Sequence, residues 1–283
     1  MLLKKLTASN SKGQSLEFPL EDIAEGFFVK EILGLGPVKA TLVSSSFANV
    51  DGEQYHSSRR DARNIIVKLG LDPDYGTGSV YDLRSKLYDF FMPKTQARLT
   101  FEMFDKFSES VLEQYKIVDI LGRIETCEPD MFSKEPSVDI SLMCFAPDFF
   151  EPDPVIFSGQ TFDGINRTDL HYKGSVESGV IFRIFPNRSL STFTLRHLRP
   201  DGLEVTAQIN HALQSGDVLT ISSIVGDKSV KRTRAGTTIS VLYALTPTSG
   251  WIELLPGINK MSVTASGVAI PYEIEYTTKF GGL

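Results

Sequence analysis

The chain has 283 residues, of which 41% are hydrophobic and 23% charged, a composition that excludes a disordered chain or a fibre and gives room for two domains with their own cores. No apolar run approaches the roughly 18 residues that cross a bilayer, so no membrane insertion is expected, and MLLKKLTASNSKG lacks the apolar stretch of a secretory signal, which predicts folding in the cytoplasm. The net charge of −6 is uneven: residues 1–155 hold 17 Lys/Arg against 25 Asp/Glu, net −8, and residues 156–283 carry +2. An acidic half is a poor platform for phosphate contacts, so specific nucleic acid binding is not expected.

In chain order, LLKKLTASNSKGQSLEFPL reads as a hairpin folding at Ser11-Lys12-Gly13. GFFVKEIL runs into Gly34-Leu35-Gly36-Pro37, a turn leading to VKATLVSS; it lacks the third glycine of a dinucleotide loop and the lysine of a phosphate loop. The strand ARNIIVKLGL (62–71) ends at Asp72-Pro73. A helix is predicted from about Ser79 to Phe91: Ser79 or Thr77 caps it, Val80, Leu83, Leu87 and Phe90 form its apolar stripe, and Pro93 stops it. Strands lie on both sides of it in sequence, so it is expected to lie across a sheet.

Three alternating runs follow, with apolar members Leu99, Phe101 and Met103, then Ile117, Val118 and Ile120, then Val138, Ile140, Leu142 and Cys144. Phe104–Glu113 between the first two is polar but for Phe104, Phe107 and a Val-Leu pair, and is long for a turn, so it reads as a hairpin reaching towards a partner. Glu151-Pro-Asp-Pro breaks the pattern, and turn-forming residues dominate as far as about Ser175. Beyond, STFTLRH, LEVTAQIN, DVLTISSI, TISVLYAL, GWIELL, NKMSVTA and YEIEY alternate with turn signals, as in a β-sandwich or barrel.

Signatures of catalysis are missing. His56, His171, His197 and His211 form no metal-binding pattern, and no GxSxG elbow occurs. Asp139, Asp148, Glu151 and Asp153 crowd together, but Asp139 lies in an alternating strand and the others flank prolines, so surface positions are expected rather than a glycosidase pair. Cys127 and Cys144 form no CxxC pair and fall in or beside strands, which predicts free buried thiols. No cofactor or metal site is expected.

Gly52, Tyr55, Arg59, Arg60, Arg63 and Ile65, followed by the helix, the long hairpin and a strand ending at Cys144-x-x-Pro147, make the chain resemble the distal tail (Dit) protein family of long-tailed bacteriophages. The resemblance implies a mainly β fold: an N-terminal β-sandwich-like domain with one helix and a long belt hairpin (residues 1–155), and a C-terminal galectin-like β-sandwich (156–283). It further implies a structural, non-enzymatic virion protein at the distal end of the tail, made in the host cytoplasm. Such a protein forms a homo-hexameric ring that meets the tail tube protein and a tail-associated hub protein and docks a receptor-binding protein. The residues expected at the subunit interface are Phe104 and Phe107, as apolar residues in the polar connection, and Arg59, Arg60 and Arg63, the dense basic cluster of the acidic half, through pairing within or between subunits.

The alternative is a carbohydrate-binding module. It would need an aromatic platform beside polar groups, and Trp251 is the only tryptophan. Trp251-Ile252-Glu253 lacks the following arginine of galectins, and Arg196-His197-Leu198-Arg199 is not their HxNxR, so galectin-type sugar binding is not expected and Trp251 is read as a packing residue.

Overall fold

The computed structural model describes residues 2–49, 51–75, 78–104, 115–131 and 134–283. The chain is mainly β and forms two compact units, one of residues 1–152 with 281–283, the other of residues 153–280. Among the described residues no helix is long and apolar enough to cross a membrane.

The first unit contains β1 (Leu2–Asn10), β2 (Ser15–Pro19), β3 (Phe27–Leu33), β4 (Ala40–Ser45), β5 (Gln54–Arg60), β6 (Arg63–Leu71), α1 (Val80–Phe90), β7 (Gln96–Phe104), β8 (Tyr115–Asp130), β9 (Ser137–Cys144) and β10 (Phe149–Phe150). Antiparallel pairing orders the main sheet β2-β1-β7-β8-β9-β6-β3, and β10 pairs with β8. Its alternating strands turn Leu6, Ala8, Ile65, Val67, Leu69, Leu99, Phe101, Val118, Ile120, Val138, Ile140 and Leu142 into one core. The sheet curls until its end strands approach, with the Phe18 and Phe27 rings edge to face at 6.1 Å.

Helix α1 starts where the sequence predicts. Ser79 Oγ accepts from the Asp82 amide, the Asp82 carboxylate accepts from the Ser79 amide, and the helix buries Leu83, Leu87 and Phe90. Strand β8 runs far beyond its predicted apolar core, 16 residues through Pro129, with a register shift between Ile124 and Thr126.

The second unit contains β11 (Val155–Gln160), β12 (Thr168–Tyr172), β13 (Ser178–Ile184), β14 (Leu190–Leu198), β15 (Glu204–Leu213), β16 (Val218–Ser222), β17 (Ser229–Arg234), β18 (Thr237–Ser240), β19 (Glu253–Leu254), β20 (Gly257–Thr264), β21 (Pro271–Tyr276) and β22 (Lys279–Phe280). One sheet runs β11-β21-β13-β16-β17-β18, with β19 on β13, and the other β12-β20-β14-β15. Phe182, Leu219, Ile221, Val230 and Ile274 of the first meet Leu170, Phe193, Leu195, Ile209 and Val263 of the second in a single core, the packing of a β-sandwich. Trp251 packs against this core, half-buried, with Lys228 Nζ 5.8 Å from its ring centre.

His197, on β14, is fully buried, and its Nε2 bonds Asn259 Oδ1 at 2.9 Å. Asn259 also accepts from the Leu255 amide and donates to the Leu255 and Gly257 carbonyls, so the pair pins the turn before β20. Burial pushes His197 below its ordinary value, only partly opposed by the Asn259 bond. The sign follows: above about pH 6.5 both folded and unfolded chains hold the ring neutral, and below it the unfolded chain gains a proton that the folded one refuses. Stability should therefore be flat above that pH and fall beneath it, levelling off below the folded value. Denaturant titrations at stepped pH should find part of this acid loss removed in His197→Gln; an unchanged pH profile in the variant would refute the assignment.

Candidate assembly surface

The predicted basic cluster divides into three separate environments. Arg63, the first residue of β6, pairs in register with Cys144 and is 1% exposed. Its guanidinium spends its donors on backbone carbonyls: Nε on Pro147 at 2.7 Å, Nη1 on Gly34 and Gly36 at 2.5 and 2.6 Å, and Nη2 on Gly281 at 2.6 Å. It also lies 4.4 Å from the Phe149 ring centre. Burial pulls its pKa below the ordinary value, against the nearby Cys144 and Asp148, yet an arginine stays charged at neutral pH. Three segments distant in sequence thus close on one side chain. Gly34 belongs to that closure, because it adopts φ +87 and a Cβ there would lie 2.0 Å from the Asn64 carbonyl oxygen.

The interface expectation for Arg63 is accordingly corrected: the guanidinium works inside the protomer and offers no surface. The reason is its position on the inward face of β6, where Arg63, Ile65, Val67 and Leu69 alternate. Arg60 pairs with Asp148 at 2.8 Å at the base of the neighbouring hairpin, and Arg59 is exposed on that hairpin.

Phe104 also differs from expectation. It is the last residue of β7, opposite Tyr115 and Leu2 in register and 9% exposed. Lys4, skipped in the register with β7 by a bulge in β1, holds its Nζ 4.4 Å from the ring centre. Phe107 and the tip of this connection lie outside the described residues.

A feature the sequence did not announce is the β4–β5 hairpin, a two-stranded sheet of its own. Its base is tied by the Asp61 amide on the Lys39 carbonyl and by Thr41 Oγ1 on the Asp61 carboxylate at 2.7 Å. Beyond the base both faces are open: Leu42 is 66%, Phe47 57% and Tyr55 60% exposed. Ser45 Oγ meets His56 Nε2 at 2.7 Å, and Tyr55 donates to Ser58 at 2.8 Å, contacts within the ribbon. An isolated two-stranded ribbon is marginal in water, and exposed aromatic and aliphatic side chains on it mark a contact surface.

Chemistry elsewhere is sparse. Cys127 and Cys144 are free, and burial pushes their thiols up to about 12 and about 11. Among the described residues no group of three or more His, Cys, Asp or Glu is placed to hold a metal ion. Asp139 is exposed on β9, and Asp148 is engaged by Arg60.

Residues 173–280 match the family model of the siphovirus-type tail component, C-terminal domain. No curated protein matches the chain. Among solved structures, the Dit protein (gp 19.1) of phage SPP1, titled a paradigm of the hub adsorption apparatus of phages infecting Gram-positive hosts, is 19% identical with a TM-score of 0.66, covering 97% of this chain and 99% of that one. A structure of the phage P2 baseplate in its activated conformation contains a chain 10% identical with a TM-score of 0.49, both chains being covered in full. The fold of the whole chain is thus that of the SPP1 protein, and the C-terminal unit is similar to the siphovirus-type tail component family.

Proposed function

We propose that the protein is the ring subunit at the distal end of the tail, six copies closing a hexamer that joins the tail tube protein to a tail-associated hub protein. The observation that carries this reading is the exposed β4–β5 ribbon. Among the described residues Leu42, Phe47 and Tyr55 stay largely exposed, and a neighbour in a head-to-tail ring would cover them while each copy covers the next. The ribbon adds an apolar surface to the contact expected of the Phe104–Glu113 connection, whose tip lies outside the described residues.

In this arrangement the C-terminal unit docks a receptor-binding protein. Trp251, engaged with the sandwich core and Lys228, supports protein docking over a galectin-type sugar platform. The protein acts by assembly and without cofactor. Native mass spectrometry and negative-stain imaging of the purified protein should find a six-membered ring with a central hole; a species that remains monomeric at every concentration reached would overturn the ring.

A further inference from the structure

At one end of the C-terminal sandwich, polar side chains occupy positions that the strand pattern assigns to the inside. On β17 Val230 is buried in the core, so Arg232 and Arg234, two and four residues on, lie on the same face; on β15 Ile209 is buried and His211 follows on its face. Arg234 is fully engaged: Nε and Nη2 reach the two Asp217 oxygens at 2.6 and 2.7 Å, and the Gln214 amide donates to the same carboxylate at 2.8 Å. That bond holds Asp217 down to about 2, so this carboxylate is saturated and remains charged.

Arg232 has no ion pair among the described residues. Its Nε and the Nε2 of His211 are shielded from solvent with no protein hydrogen-bond partner. Strands β15 and β17 both touch the 3₁₀ turn at Leu242–Ala244, which brings His211 and Arg232 to the same end of the sandwich, and burial first, then the charges of Arg232 and Arg234 against that of Asp217, hold His211 below its ordinary value. Tyr243 stands over the imidazole, ring centres 5.8 Å apart and edge to face, and is itself largely exposed. This end of the sandwich thus carries one cation, Arg232, in excess of its carboxylate, beside an open aromatic rim.

Beside it runs the free edge of a sheet. β18 ends the β11-to-β18 order and is exposed throughout. The hairpin closes at Ala235-Gly236, both at positive φ, with Arg234 opposite Thr237. Antiparallel alternation from that closing pair, consistent with the Val241 amide on the Val230 carbonyl, turns the N–H and C=O of Thr238 and Ser240 away from β17. Ile239 opposes Arg232, and the exposed Leu242 follows.

We propose that this end of the sandwich receives a carboxylate carried on an extended acidic polypeptide segment, whose backbone adds as a strand to the free edge of β18. Main-chain bonds to Thr238 and Ser240 would give affinity, and the Arg232 and His211 donors would select Glu or Asp over a neutral residue. The inference rests on the docking role given above to the C-terminal unit, but its test needs no assembled tail, so its failure would leave ring formation untouched.

The probe is a fluorescent acetylated peptide alternating Glu with Thr and Val, titrated with the full chain and followed by anisotropy. The Glu peptide should bind, and replacing every Glu by Gln should weaken it at least about tenfold. Arg232→Gln and His211→Gln should weaken the Glu peptide selectively, Thr238→Pro should abolish binding by removing the outward donor, and Lys231→Gln, on the opposite face of β17, should leave it intact. Equal binding of the Glu and Gln peptides, or unchanged affinity in Arg232→Gln, would overturn the proposal. So would inorganic phosphate shifting the His211 titration while no peptide binds, since these side chains would then form a phosphate site.

Discussion

Arg63→Ala should leave the first unit unable to fold cooperatively. The substitution removes a buried guanidinium that satisfies the carbonyls of Gly34, Gly36, Pro147 and Gly281 at 2.5 to 2.7 Å. Hydrogen bonds to charged groups contribute roughly 1.5–3 kcal/mol each, so even with strong non-additivity a loss of at least about 4 kcal/mol is expected, a large share of the roughly 5–15 kcal/mol that a domain possesses. Arg63→Lys should fare little better, because one ammonium on a flexible stem cannot reach acceptors arranged around a planar fork. Thermal and denaturant unfolding of the purified variants would measure this. A variant whose midpoint matches the parent protein would show that the carbonyls are satisfied without the guanidinium.

Replacing Leu42, Phe47 and Tyr55 together by Ser should separate assembly from folding. All three are largely exposed in the single chain, so the protomer should keep its stability to within about 0.5 kcal/mol, the usual range of surface substitutions. The ring should be lost, because these side chains form the apolar centre of the contact each copy would make with the next. Sedimentation and negative-stain images of the triple variant read both at once. Rings persisting at the parent concentration would remove the ribbon from the interface, and a fall in monomer stability would mean that the ribbon packs within its own chain.

Much of the fold was legible because local and tertiary preferences agree. The β1–β2 turn falls at Gly13, with φ +78, and α1 lies between its cap Ser79 and Pro93 because capping, an apolar stripe and a stop signal coincide. Other elements escaped for physical reasons. TISVLYAL alternates like a strand, yet only Thr237–Ser240 is strand; Val241 and Ala244, three apart, are buried by a 3₁₀ turn at Leu242–Ala244. GWIELL keeps only the short β19. Strand β11 was masked by the prolines before it, and β17 by Lys231, Arg232 and Arg234, whose charges are polar even where they point inward.

The proposed assembly surface was the least legible part. QYHSSRR shows no apolar period because neither face of β5 is covered within the chain, and burial is what writes alternation into a strand. Conversely, Arg63 stood among exposed arginines in sequence, and only the register of β6 with β9 reveals that it points inward beside the carbonyl of Pro147. The spacing Cys144-x-x-Pro147 could have hinted at it, since the strand end and the proline carbonyl both meet this arginine.

The closure around Arg63 also bears on the order in which the protein can mature on the ribosome. Domains generally fold as they emerge, N-terminal first. Here the carbonyl that receives Arg63 Nη2 belongs to Gly281, 218 residues downstream, and the Leu283 amide bonds the Leu35 carbonyl beside the same cluster. The first unit therefore carries an incomplete latch throughout translation of the second, and it becomes fully bonded only when residues 281–283 have left the exit tunnel.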